Sequence, residues 1–186
     1  MRVIAGDPDE IVLPETKPET EWILGRAVRK VSPKRKHGRL QARLAGRLDL
    51  WSPPHGEVAT EWRVRLAPRG EVRRPLVPDV SFVSRTALRG VALEDREVPD
   101  FAPTVAFEIR SPGDRVADIE EKIRVYLECG ASAVVIVDGV RRSLRILDED
   151  GDRTIAGDAT FEHPALPGFR LALGDLFSVL DPSPEY

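Results

Sequence analysis

The spacing of apolar positions changes twice between Val105 and Val137, and the changes divide this stretch into three elements. Val105, Ala106, Phe107 and Ile109 form a β-branched and aromatic run of the buried-strand kind, interrupted by Glu108. Ser111, Pro112, Gly113 and Asp114 are turn formers, and from Val116 the apolar period becomes helical. Val116, Ile119, Ile123 and Leu127 make one stripe with Tyr126 beside it, and Gly130 supplies the left-handed stop favoured at helix C-termini. Ala133 to Val137 is a near-continuous apolar run, which suits a strand covered on both faces. The expectation is a β-α-β unit with Glu108 near the carboxyl end of its strand, where open α/β sheets place their ligands.

The same reading extends to the rest of the chain. Residues Met1 to Glu19 are rich in Pro, Asp and Glu and read as a loose N-terminal arm with a short strand at Ile11 to Leu13. Trp22 to Val31 alternates as a hairpin with Gly25 near its turn, and the basic run Ser32 to Lys36 reads as a solvated loop in preference to a phosphate-facing patch. Leu40, Leu44 and Leu48 predict a helix over 38–51 whose polar face carries Arg39, Arg43 and Arg47. His37 reads as a helix-start residue. Val58 to Leu66 alternates as one strand, with Glu61 a weak third-carboxylate candidate, and Val77 to Val83 as another with Asp79 at its start. Residues 85–99 read as a rim or lid over the site. Turn signals at Asp138-Gly139 and Asp150-Gly151 predict two hairpins near the end. The fold class expected is α/β (α+β), one domain over 20–186 with a mixed central sheet flanked by helices and preceded by a β-hairpin.

Charged residues at apolar positions carry the chemistry. A carboxylate at Glu108 is costly inside a strand run unless something binds it. Lys122 lies one residue off the helical stripe, and the chain writes Arg at 23 of its 28 basic positions, so a lysine there has chemical content. It could also face solvent with Glu121 or Asp118 as its partner, and Asp79 could simply cap a turn. Taken together, two carboxylates on neighbouring strands and a nearby lysine are the parts of a hydrolytic magnesium site, in which the lysine positions or deprotonates the attacking water.

Composition bounds these readings. The chain has 186 residues, 41% hydrophobic and 32% charged, enough for one soluble domain with a proper core. Its formal net charge of −3 argues against binding nucleic acid by charge alone. One cysteine, Cys129, offers no disulfide, and no apolar run approaches a membrane span, so a cytoplasmic protein is expected. The absence of asparagine, with a single glutamine, fits either a thermophile or a GC-rich codon bias. No phosphate-binding glycine loop, serine-nucleophile elbow or CxxC is present, which excludes NTPases, α/β-hydrolases and zinc modules.

Taken in order, Pro78-Asp79, Phe107-Glu108-Ile109, Ser111-Pro112, then Asp118, Lys122, Tyr126 and Gly130, then a hydrophobic strand ending in Asp138, the sequence resembles the Uma-two family, classed with restriction endonucleases. Glu21 to Gly25, His37-Gly38 and Leu166-Pro167-Gly168-Phe169 resemble its opening hairpin, first helix and closing segment. The resemblance implies a restriction endonuclease-like fold of the PD-(D/E)XK superfamily. It implies Asp79, Glu108 and the Ile109 carbonyl as ligands of Mg2+ or Mn2+. The usual lysine two residues after the glutamate is replaced by Arg110, and Lys122 matches the family's alternative position on the following helix. A second departure is Val134 or Val135, where many members carry tryptophan.

The function expected is metal-dependent hydrolysis of DNA, with RNA the lesser candidate, by Asp79, Glu108 and Lys122. Arg110, Arg39, Arg43 and Arg47 are the candidate substrate contacts, and a homodimer would suit cleavage of both strands. The alternative is an inactive relative in which Arg110 neutralises Glu108, leaving a module that binds nucleic acid or protein.

Overall fold

The structure is a computed structural model that describes residues 9–30 and 34–181. It opens with a hairpin, β1 (Thr20–Ile23) and β2 (Arg26–Arg29), followed by helix α1 (Arg35–Trp51). Strands β3 (Gly56–Thr60), β4 (Val64–Leu66), β5 (Arg74–Leu76) and β6 (Val80–Ser84) precede the short helix α2 (Leu93–Glu97). The predicted β-α-β unit then appears as β7 (Val105–Ile109), α3 (Val116–Glu128) and β8 (Ala133–Asp138). Strands β9 (Ser143–Asp148), β10 (Gly151–Ala156), β11 (Thr160–Phe161) and β12 (Leu171–Ala172) lead to α4 (Leu173–Phe177) and a final 3-10 turn at Ser178–Leu180.

Six strands form the central sheet in the order β10-β9-β8-β7-β6-β3. Only β7 and β8 run parallel, as the helical crossover between them requires, so the sheet is mixed. Alternation along β7 assigns its side chains to two cores. Val105, Phe107 and Ile109 join Leu40, Leu44 and Leu48 of α1 and the C-terminal Phe161, Phe169 and Phe177. Ala106 packs on the other face with Ile123, Val125 and Tyr126 of α3 and Ile23 of the hairpin. Glu108, by the same period of two, belongs to the α3 face. Helix α3 ends in a Schellman arrangement: Ala131 N–H bonds the Tyr126 carbonyl, Gly130 N–H bonds that of Leu127, and Gly130 adopts φ +98°.

The structure corrects several expectations. Val58 to Leu66 is not one strand, because Glu61 takes φ +52° and hands the chain from the central sheet to the separate β4-β5 ribbon. The buried stripe of α3 is rotated: Val116 is 63% exposed, while Lys122, Val125 and Tyr126 are buried. Residues 85–99 follow the far end of β6 from Asp79. Arg96 pairs there with Glu57 and its carbonyl receives the Trp62 indole, so this segment is no lid over the site. No strand forms at Ile11 to Leu13. From Asp9 on, the expected loose arm lies against Arg73 through Ile11 N–H to the Arg73 carbonyl and Arg73 N–H to the Asp9 carbonyl, and Leu13 is buried.

Gly56 is required where β3 meets β6, since a Cβ there would lie 2.0 Å from the Val83 carbonyl oxygen. Gly46 in α1 is exposed and has open space around it. Thermal or urea unfolding should therefore show Gly56→Ala losing roughly 2–4 kcal/mol. Gly46→Ala should instead gain up to about 1 kcal/mol from helix propensity.

Candidate active site

The β6-β7 register brings the two predicted acids together. Val80 pairs with Phe107, so one step further Asp79 stands beside Glu108 at the edge of the sheet. Asp79 is buried and its carboxylate is held on all sides. Ile109 N–H donates to Oδ2 at 2.6 Å, His37 Nε2 lies 3.3 Å from the same oxygen, and Lys30 Nζ lies 2.6 Å from Oδ1. Lys30 also donates to the Val77 carbonyl at 2.9 Å and reaches Glu61 at 3.1 Å. Gln41 Nε2 bonds both the Asp79 carbonyl at 2.9 Å and Glu61 Oε1 at 3.0 Å.

Glu108 is bound from α3. Lys122 Nζ lies 2.7 Å from Glu108 Oε1 and 2.7 Å from Glu21 Oε1 of β1, and the Tyr126 hydroxyl donates to Glu108 Oε1 at 2.9 Å. Glu21 Oε1 also accepts Val77 N–H at 2.8 Å. The ammonium is buried and ties the hairpin, α3 and β7 to one point. Neither solvent-facing partner considered for Lys122 is available to it: Asp118 takes Arg26 through two bonds of 2.7 Å, and Glu121 takes Arg74 and Arg124.

Burial and charge act in opposition on these groups. Burial pushes the Glu108 carboxyl up to about 7, with Asp79 and Glu21 adding to the push and Lys122 only partly offsetting it. Burial opposes ionisation of Asp79 as well, but the His37 hydrogen bond and the Lys30 and Lys122 charges hold it well below the usual carboxylate range. Burial would discharge Lys122 and Lys30. Glu108 and Glu21 outweigh it for the first and Asp79 for the second, so both ammonium groups hold their protons more tightly than free lysine.

The two acids border a cavity of about 280 Å3 that Glu21, Lys30, His37, Ile109 and Lys122 also line. Around Lys30 and Lys122, Asp79, Glu108, Glu21 and Glu61 form a local group of carboxylates at which a divalent cation would be stabilised, within a cavity that Arg26, Arg29, Arg110 and Arg115 also line. Among the described residues no three His, Cys, Asp or Glu side chains form a ready metal cage. Two carboxylates and a main-chain carbonyl are instead the sparse oxygen set that suits magnesium, an ion that keeps several of its waters.

Comparison with known proteins gives the family and the fold. A family model described as "Uma2: Putative restriction endonuclease" matches residues 9–174. The chain belongs to the Uma2 family. A crystal structure from Anabaena variabilis ATCC 29413, described as "a putative nuclease belonging to DUF820", is similar with a TM-score of 0.77 and 25% sequence identity over 90% of this chain and 94% of that one. The fold is therefore restriction endonuclease-like. No curated protein matches the chain.

Within this Uma2 fold, Asp79, Glu108, Ile109 and Lys122 converge as the sequence suggested. Arg110 does not neutralise Glu108; its guanidinium lies 3.3 Å from Asp138. Arg43 and Arg47 bind Asp175 of α4, each at 2.7 Å, and neither they nor Arg39 line the cavity, so the three-arginine face points away from the acids. Sequence reasoning missed Lys30 and Glu21 and underrated His37. Lys30 carried the same signal as Lys122, a lysine kept in an arginine-rich chain, and Glu21 opens a hairpin that shows no role until it docks on α3.

Lys122→Ala strips Glu108 and Glu21 of their buried cation. Urea unfolding at about pH 8 should show a loss of roughly 3 kcal/mol. Removing the cation raises the folded-state pKa of Glu108 further, and an acid with a raised folded pKa loses stability as pH rises. The loss should therefore shrink at about pH 5, where Glu108 is protonated.

Proposed function

We propose that this protein is a metal-dependent endonuclease that hydrolyses DNA phosphodiester bonds, with Asp79, Glu108 and the Ile109 carbonyl holding Mg2+ or Mn2+ and Lys122 acting beside them. The observation that carries this reading is the side-by-side placement of Asp79 and Glu108 in one cavity, with the Lys122 ammonium 2.7 Å from Glu108. The bound ion would polarise the scissile phosphate and lower the pKa of an attacking water. Ile109 N–H faces Asp79, and in an extended strand the carbonyl of the same residue leans to the same edge, which supports it as a donor. Glu108 Oε1 is taken by Lys122 and Tyr126, leaving Oε2 for the ion, whereas Asp79 would bind it by exchanging the Lys30 contact on Oδ1.

Lys122 holds its proton too firmly to serve as a base, so its role is to donate hydrogen bonds to the water and to the charge that develops on phosphate. Tyr126, also held protonated by burial and by Glu108, fixes the glutamate's orientation. The family's description as restriction endonucleases supports DNA, rather than RNA, as substrate. A second copy of the chain would supply the cut in the other strand. The reading places the protein with cytoplasmic DNA, in keeping with its single cysteine.

Incubating supercoiled plasmid and single-stranded DNA with Mg2+ or Mn2+ tests the assignment. Wild type should nick or linearise the plasmid, and Glu108→Gln and Lys122→Ala should each lose at least ~100-fold in rate while staying folded. Absence of cutting under either metal, with the ion still bound, would reject the catalytic reading in favour of a binding module.

Metal loading has a separate signature. Glu108 titrates near 7 without metal, and a cation stabilises its charged form. Calorimetry in buffers of different ionisation enthalpy should show close to one proton released per Mn2+ at about pH 6 and almost none at about pH 8.5. Glu108→Gln should abolish the release.

A further inference from the structure

A second hollow, a groove of about 700 Å3, adjoins the cavity of the acids and shares His37, Ile109, Arg110, Ser111 and Gly113 with it. Among the described residues its charged lining is all cationic, whereas acids and cations are mixed around the first cavity. Lys34, Arg35 and Lys36 at the start of α1, Arg110 after β7 and Arg142 in the β8-β9 turn all line it, and among the described residues no carboxylate does. Arg110 and Arg142 are each paired with a carboxylate, Asp138 and Asp181, so the uncancelled charge of the groove is that of the 34–36 run. Lys34, Arg35 and Lys36 are exposed and make no ion pair among the described residues.

Three cations at a helix N-terminus oppose the helix dipole, and α1 has no acid in its first turn to offset them. Their presence weakens the helix, so folding does not account for them. The floor between the cations is formed by Leu40, Pro112, Gly139 and Val140, and among the described residues no Phe, Tyr or Trp lines the groove for a base to stack on. His37 completes the junction: Nε2 faces Asp79, and the buried Nδ1 has no hydrogen-bond partner among the described residues.

We infer that this groove is a phosphodiester-backbone track, which holds the strand on one flank of the scissile phosphate through Lys34, Arg35, Lys36, Arg110 and Arg142 without reading its bases. The inference rests on the nuclease reading and adds a direction to it. The strand leaves the acid cavity over the Ser111–Gly113 loop and runs between the start of α1 and the β8-β9 turn. Charge alone holds it there, since the groove offers phosphate partners and no base-edge code.

The triple variant Lys34→Ala, Arg35→Ala, Lys36→Ala tests the assignment against a charge-matched control, Arg69→Ala, Arg89→Ala, Arg170→Ala, placed outside the groove. Removing cations from a helix N-terminus favours the helix, so the test variant stays folded. Fluorescence anisotropy with short labelled DNA, single-stranded and duplex, is read in EDTA so that no cutting intervenes. At about 0.15 M salt the groove variant should bind on the order of 100-fold more weakly than wild type, and its slope of log K against log salt should flatten by about 2–3 units. The control should change little. Equal loss in both variants, unchanged binding in the groove variant, or no binding by wild type would each overturn the track. Loss confined to the groove variant in a protein that never cuts would keep the track and reject the nuclease reading.

Discussion

One buried ammonium holds the site together. Lys122 has given up its water for Glu21 on the hairpin, Glu108 on the central sheet and the body of α3. Removing a charge from water is unfavourable unless the partners are close and fixed, and here each lies at hydrogen-bond distance. The hairpin shares no ladder with the central sheet, so it is docked by this contact together with the Glu21 bond to Val77 N–H, the Arg26–Asp118 pair, Lys30 on Asp79 and the packing of Ile23. On the proposed reading, a residue placed for chemistry is thus also a structural tie.

The sheet makes that tie possible by parity. Along β7 every second side chain enters the core under α1, which is wholly apolar around Phe107 and Leu44. The alternate positions face α3, and the last of them is Glu108. A slip of one residue would drive the carboxylate into the phenylalanine cluster and take Phe107 to Lys122, so the apolar core under α1 fixes the register of the acid opposite it. Asp79 inherits its place from the same register through the Val80-Phe107 pair.

The sequence made the β-α-β unit and its acids legible because both depend on local spacing. An apolar run interrupted by one glutamate, a turn cluster, a helical period and Gly130 each act within a few residues. The site's remaining members come from far along the chain: Lys30 is 49 residues from Asp79. Only tertiary docking brings them together, and hydropathy says nothing about that. The Val58 to Leu66 strand failed for a related reason. Its alternation is intact in the sequence, but Glu61 is turned into a left-handed conformation with its N–H on the Asp79 carbonyl and its carboxylate on Lys30, so the site bends the strand. In α3, Val116 matched the period yet lies outside, because the helix is rotated to bury Lys122.

Net charge misleads for this chain because its charges are sorted by place. A formal −3 counts the cavity carboxylates together with the arginines that exposed acids already bind. Arg43, Arg47, Arg124 and Arg145 are all spent in such pairs, and their fields are largely cancelled a few ångströms away. The cations of the 34–36 run are not cancelled by any ion pair among the described residues, and they line the groove that adjoins the cavity of Asp79 and Glu108. On the proposed reading the two signs have separate tasks. The acids gather the divalent ion, the groove gathers the polyanion, and the shared His37, Ile109 and Arg110 mark where the two meet. A uniformly basic surface would attract the polyanion more broadly, but it would compete with the acids for their lysines and leave the ion less negative charge to bind.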